Sequence, residues 1–246
     1  MSFWGYLVLF FTVILGGTVA LYLRQYSRTA LQLSLSFSGA YILGITILHL
    51  MPGVFSDSHD HTIGLWVILG FLIQLALEQL SIGVEHGHVH VHQQASVSFA
   101  VQIMIGLCLH AFIEGLPLSS YPELHQMQHG NDHDHNHLLI GIILHKAPAA
   151  FALVVLLVLS GFRRSFVIFC LIVFAAMSPL GALVSTLLPA KLEILKALTA
   201  IVIGSFLHIS TTILFESDVT REHKISWRKM LVILAGIGTA LLTLII

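Results

Sequence analysis

Charge is scarce in this chain. Only 9% of its 246 residues are Asp, Glu, Lys or Arg, against roughly 25% in an average soluble domain. Eleven Lys plus Arg stand against twelve Asp plus Glu, so no basic stripe exists to grip a phosphate backbone and no nucleic-acid partner is expected. Cysteine is nearly missing. Cys108 and Cys170 sit in apolar runs without CxxC spacing, read as small buried hydrophobes, and set no redox compartment. The first apolar run, from Phe3, has neither a basic segment before it nor a small-residue cleavage site, so it reads as a retained helix and not a signal peptide.

Apolar sequence is what the chain has instead. Hydrophobic residues make up 57%, and the mean hydropathy is +0.93. A membrane-spanning helix needs about 20 mostly apolar residues. On that criterion the sequence predicts an all-α, polytopic membrane protein with eight transmembrane helices. They run Phe3 to Leu23, Leu31 to Phe55, Ile63 to Val84, Val97 to Leu118, Leu138 to Gly161, Phe166 to Leu188, Leu192 to Phe215 and Trp227 to Ile246. No soluble domain fits between them, so residues 1–246 read as one transmembrane domain, partnered by lipid bilayer. Basic residues concentrate in cytoplasmic loops. If the first loop is cytoplasmic, Arg24, Arg28, Arg163, Arg164, Arg221, Lys224, Arg228 and Lys229 share that side, and only Lys191 and Lys196 fall outside. Both termini are then exoplasmic.

Against this background a few polar residues interrupt apolar runs. His110-Ala-Phe-Ile-Glu114-Gly115 lies in the fourth helix and His145-Lys146-Ala-Pro148 in the fifth. Charged groups at membrane depth are costly and mark polar paths or binding sites. An i, i+4 step puts His110 and Glu114 on one helix face, and imidazole nitrogen beside carboxylate oxygen suits zinc and its first-row neighbours. His145 supplies a third ligand if the two helices are neighbours, leaving an open coordination position for release. A helix–helix hydrogen bond accounts equally for His110 or Glu114 taken singly. Lys146 points about 100° away from His145 and needs a counter-ion, for which Glu114 and Glu78 are the intramembrane carboxylates.

Other polar positions are more ambiguous. His49, before Pro52, and His208 read as pathway residues or as hydrogen-bonded packing residues. Ser178 reads as a weak oxygen ligand or a packing hydroxyl. Pro52, Pro117, Pro148 and Pro179 each free a carbonyl about one turn earlier, which within a bilayer must face protein or a wet cavity. Histidine is the compositional outlier at 16 residues. His86, His88, His90 and His92 fall in a predicted cytoplasmic loop over residues 85–93. His125, His129, His133, His135 and His137 fall in a predicted exoplasmic loop over 119–137, with a smaller tract, Asp57-Ser-His59-Asp60-His61, also outside. Short His-rich tracts bind divalent metals without fixed geometry.

The fourth and fifth helices resemble those of the ZIP (Zrt-/Irt-like) metal transporters, whose binding helices read HNxxDG or HxxxEG and HExPxE or HKxPxx. The second helix, ending His49-Leu-Met-Pro52, is similar to the family's HLxP ending. Glu78 with Glu85-His86, Ser178-Pro179-Leu-Gly181-Ala182 and Gly204-Ser-Phe-Leu look like the family's third, sixth and seventh helices. The resemblance implies uptake of a divalent metal toward the cytoplasm by alternating access. A bundle of the first, fourth, fifth and sixth helices would move against the rest. It carries the first-position ligands over to His110, Glu114 and His145. The second position is degraded, with Ala111, Lys146 and Ser178 where the family has ligands and Ala149 where it has a further carboxylate. The expectation is a mononuclear site in which the Lys146 ammonium takes the place of a second cation. Zinc is the expected cargo, with cadmium, iron, manganese and cobalt as alternatives. No resident cofactor is implied, and a homodimer is left open. A plasma membrane or bacterial inner membrane is the expected location. An intramembrane zinc hydrolase and a membrane metal sensor are the competing readings, the first weakened by the lack of HExxH.

Overall fold

The computed structural model describes residues 2–23, 27–55, 61–86, 96–119, 137–188, 191–215 and 226–244. Among them are eight long helices and no strand: α1 (Phe3–Tyr22), α2 (Arg28–Phe55), α3 (Thr62–Ser81), α4 (Val97–Gly115), α5 (His137–Leu159), α6 (Arg164–Thr186), α7 (Leu192–Phe215) and α8 (Trp227–Leu242). Seven of them are long and apolar enough to cross a membrane. α8, at 16 residues, falls short of that length, and residues 245–246 lie outside the described set.

Local chemistry sets several boundaries. Ser2, Ser27, Ser96 and Ser226 each precede a helix and accept from a backbone N–H of its first turn, at 3.2–3.3 Å, satisfying donors that a helix start leaves unpaired. α3 stops at Ser81 because Ile82 (φ 57°) and Gly83 (φ 67°) are left-handed. That conformation is unfavourable for a β-branched residue. It reverses the chain so that a short 3₁₀ turn, Val84–His86, returns into the protein, where it packs on α5. α2 is α-helical except for a π-helical turn over Thr46–Leu50, which holds His49 just before Pro52.

Burial is inverted relative to a soluble protein. Leu65 is 66% exposed and Phe169 62%, whereas Glu114 is fully buried and Lys146 is 2% exposed. Lipid tails solvate the apolar exterior, so helix association depends on close packing and interior polar contacts. The helices pack as two groups. α1, α5 and α6 contact one another, and α4 packs on α6. α2, α3, α7 and α8 form the other group, through α3 on α7 and α8 on α2. Small residues make these crossings possible. A Cβ on Gly70 would collide with the backbone of Ile201, and one on Gly204 with the backbone of Val67, so α3 and α7 touch main chain to main chain. Contacts of α2 with α5 and of α3 with α4 join the groups, and the polar residues gather near the second of these seams.

Candidate metal centre

α4 and α5 bring their polar side chains to one point. Both pack more closely on α6 than on each other, which leaves space for side chains between them. Gly115 and Gly181 let α4 and α6 approach so closely that a Cβ on either would strike the other's backbone. In α5, Pro148 lies within the helix and leaves the carbonyl one turn earlier without its usual donor, beside His145.

His110, Glu114 and His145 each offer a ligand atom within 4.8 Å of the other two, and all three are buried. His110 Nε2 lies 3.0 Å from Glu114 Oε1. The His110 and His145 rings stand nearly perpendicular, with centroids 6.1 Å apart. Neither ring nitrogen of His145 has a hydrogen-bond partner among the described residues, although the side chain is 1% exposed. A buried imidazole so placed is a ligand in waiting or an uncompensated cost. With metal–ligand bonds of about 2.0–2.2 Å, donors sharing a tetrahedral ion lie about 3.3 Å apart. The His110–Glu114 separation is already close to that, and His145 needs only a side-chain adjustment to join.

The remaining charge is matched inside the protein. Lys146 Nζ lies 2.8 Å from Glu114 Oε2 and 5.0 Å from the centre of the Phe174 ring, which favours a cation over its face. Of the two carboxylates that the sequence offered to Lys146, Glu114 is therefore the one it meets. Glu114 then has one oxygen toward His110 and one toward an ammonium.

The other singled-out residues are distributed more widely. Ser178 is buried and donates to the Ala111 carbonyl at 2.9 Å. Glu78, at the cytoplasm-ward end of α3 in the predicted topology, contacts His86 Nδ1 at 3.2 Å and His208 Nε2 at 3.3 Å, one through each oxygen. These three form a separate polar group. His86 is 3% exposed and so stands apart from a solvated loop. His49 lies elsewhere, with its ring centroid 5.4 Å from that of His137, the first residue of α5, and its Nε2 3.4 Å from Thr243 Oγ1. His88, His90, His92, His125, His129, His133 and His135 lie outside the described residues, as do Asp57, His59 and Asp60. Sequence reasoning passed over Gln74 and Ser205. Gln74 Oε1 lies 2.9 Å from His110 Nδ1 and also accepts from Ser205 Oγ, while its Nε2 donates to Glu85 Oε1 at 3.3 Å. An amide in the apolar middle of α3 was the available signal.

Sequence comparison places this geometry in context. The profile of the family described as ZIP Zinc transporter matches residues 83–244, a stretch that contains His110, Glu114 and His145. Zinc transporter ZIP9-B of Xenopus laevis is 31% identical over 171 residues, covering 63% of this chain and 54% of the relative. Zinc transporter ZIP9 of Xenopus tropicalis is 30% identical over the same length and coverage. Zinc transporter ZIP9 of Micropogonias undulatus is 29% identical over 138 residues, 55% of this chain and 43% of the relative. The chain thus spans about half the length of these relatives. With its all-helical architecture and a family match across most of its length, the chain belongs to the ZIP zinc transporter family.

Proposed function

We propose that the protein carries a divalent transition metal, zinc foremost, across a membrane toward the cytoplasm, holding one ion at a time between His110, Glu114 and His145. The observation that carries the reading is the meeting of these three buried ligand groups inside apolar helices, with both nitrogens of His145 unpartnered among the described residues. Three protein ligands leave a coordination position open, which suits an ion that must enter and leave. Lys146 stands in for a second cation by neutralising Glu114 through the oxygen that His110 does not face. The packing groups supply the moving parts. α1, α4, α5 and α6 shift against α2, α3, α7 and α8, exposing the ion first to one side and then to the other.

In this reading the chain works as one membrane domain. α8 is the eighth span and both termini are exoplasmic, in a plasma or bacterial inner membrane. Segment 85–93 faces the cytoplasm and segment 119–137 the outside, and their histidines, His86 excepted because it is buried against Glu78, gather and accept ions. Cadmium, iron, manganese and cobalt are the competing cargoes, since relative affinity alone does not set selectivity. The relatives are named as zinc transporters and none as a hydrolase, so the enzyme reading is not favoured.

Flux into proteoliposomes across a panel of zinc, cadmium, iron, manganese and cobalt is the test. Zinc uptake that collapses in Glu114→Ala and His145→Ala, with protein still monodisperse, is the expected result. Robust flux in both variants would remove the site from the mechanism.

A further inference from the structure

Gln74 is the one amide side chain that touches the candidate metal centre among the described residues, and it is fully buried. Its two ends are chemically different, and the neighbours dictate which way it points. Nε2 lies 3.3 Å from Glu85 Oε1. Oε1 lies 2.9 Å from both His110 Nδ1 and Ser205 Oγ. A carboxylate accepts hydrogen bonds, so the amino end of Gln74 faces Glu85 and its carbonyl end faces His110 and Ser205. A carbonyl oxygen also only accepts, so His110 must donate from Nδ1. With Nδ1 committed as a donor to Gln74, Nε2 is the nitrogen left to ligate an ion. That is the nitrogen that lies 3.0 Å from Glu114 Oε1. A metal ion that takes the place of a proton shared between these two buried atoms meets a nitrogen and an oxygen ligand together.

We propose that Gln74 is a positioning residue for metal binding: with Glu85 and Ser205 it fixes the tautomer of His110 and directs its Nε2 lone pair at the ion. This rests on the reading of His110, Glu114 and His145 as the transport site. The fold builds the device from separate elements. The close crossing of α3 and α7 at Gly70 and Gly204 sets Gln74 one turn along α3 and Ser205 directly after Gly204. The left-handed pair Ile82 and Gly83 turns the chain back and buries Glu85 against the amide.

The device also straddles the two packing groups. Gln74 and Ser205 belong to α3 and α7, whereas His110 belongs to α4 of the other group. Any displacement of α4 against α3 that separates these atoms removes the bond orienting the ligand. Metal affinity is thereby tied to the relative position of the two groups, strong in the arrangement described here and weaker once they shift.

Outer-shell partners of metal-binding histidines contribute about 10- to 100-fold to affinity. The test uses the full chain in proteoliposomes, with zinc flux read as KM and Vmax. Gln74→Leu keeps the volume and deletes all three hydrogen bonds, and should raise KM by about 10- to 100-fold with a smaller change in Vmax. Gln74→Glu combined with Glu85→Gln reverses the polarity of the first bond while preserving an acceptor for His110 and Ser205, and should restore KM to near the wild-type value. Should Gln74→Leu fail to fold, Gln74→Asn withdraws the same groups by one methylene and should weaken binding in the same direction. Cobalt(II) titrations, with His88, His90, His92, His125, His129, His133 and His135 replaced to silence the loops, then supply a double-mutant cycle. In a His110→Ala background, Gln74→Leu should weaken cobalt binding no further. An unchanged KM in Gln74→Leu, or a full additional loss in the His110→Ala background, overturns the proposal and leaves Gln74 as packing. If His110→Ala itself leaves affinity and flux intact, the transport-site reading fails instead.

Discussion

Replacing Lys146 by methionine removes a charge and keeps most of the volume, which isolates the electrostatic part of its role. Alanine would not serve, because Lys146 is among the largest fully buried side chains and truncation would add a cavity cost. In the wild type the ammonium lies 2.8 Å from Glu114 Oε2, with no exposure on the carboxylate side. Removing one partner of such a pair strands the other, at a cost of about 3–5 kcal/mol. By the scaling of soluble domains of this length, about 2–4 °C per kcal/mol, the metal-free variant should melt about 6–20 °C below the wild type. A dication at His110, Glu114 and His145 supplies the missing positive charge, so zinc should close most of that gap. For comparison, zinc at 100 times its Kd should stabilise the wild type by only about 2.7 kcal/mol. The assay is thermal unfolding of purified protein across a zinc titration, with a chelated control. If metal-free Lys146→Met melts within the error of the wild type, or if zinc stabilises both proteins equally, Lys146 does not compensate Glu114 and its role as a substitute cation is refuted.

Glu114→Gln keeps the shape of the side chain but removes the anionic ligand; it should abolish saturable zinc flux in proteoliposomes while the protein elutes normally by size exclusion. Because ligands must present free lone pairs, wild-type flux at fixed zinc should fall as pH is lowered, and KM should rise before Vmax changes. Replacing His88, His90 and His92 together should alter apparent affinity and leave flux measurable, whereas total loss in folded protein would move the site to the loop. His86 is kept in that variant, since it is buried against Glu78. Gly70→Ala puts a methyl group into the backbone of Ile201 and should separate α3 from α7, costing about 1–3 kcal/mol in thermal stability and weakening zinc binding through Gln74.

Some of this was legible without coordinates. The spacing of His110 and Glu114 places them on one face of any helix that contains both, because four residues nearly complete one turn. The scarcity of charge required apolar helices with polar residues turned inward. The serines before α1, α2, α4 and α8 mark helix starts by local chemistry alone. Gln74 was not legible in the same way. An amide in an apolar helix has many explanations, Gln79 of the same helix being another, and the importance of Gln74 comes from Ser205, Glu85 and His110, which lie 131, 11 and 36 residues away in the chain. The length of the apolar run also put the end of α3 three residues too far. Apolar residues continue to Val84, but the left-handed turn at Ile82 and Gly83 breaks the helix at Ser81.

The sequence by itself determined an all-helical membrane protein of the ZIP family and the residue types from which a metal site can be built. Those properties depend on composition and short-range spacing, which the chain carries wherever its helices settle. Tertiary structure decided which of the scattered polar groups meet. His145 reaches His110 and Glu114 because α4 and α5 both pack on α6. Lys146 takes Glu114 and not Glu78, and His86 joins Glu78 and His208 instead of a solvated loop. The reason is physical: hydropathy tells a helix to enter the bilayer but does not say which neighbour it meets. That choice falls to close backbone crossings at small residues such as Gly70, Gly115, Gly181 and Gly204 and to buried polar groups finding partners.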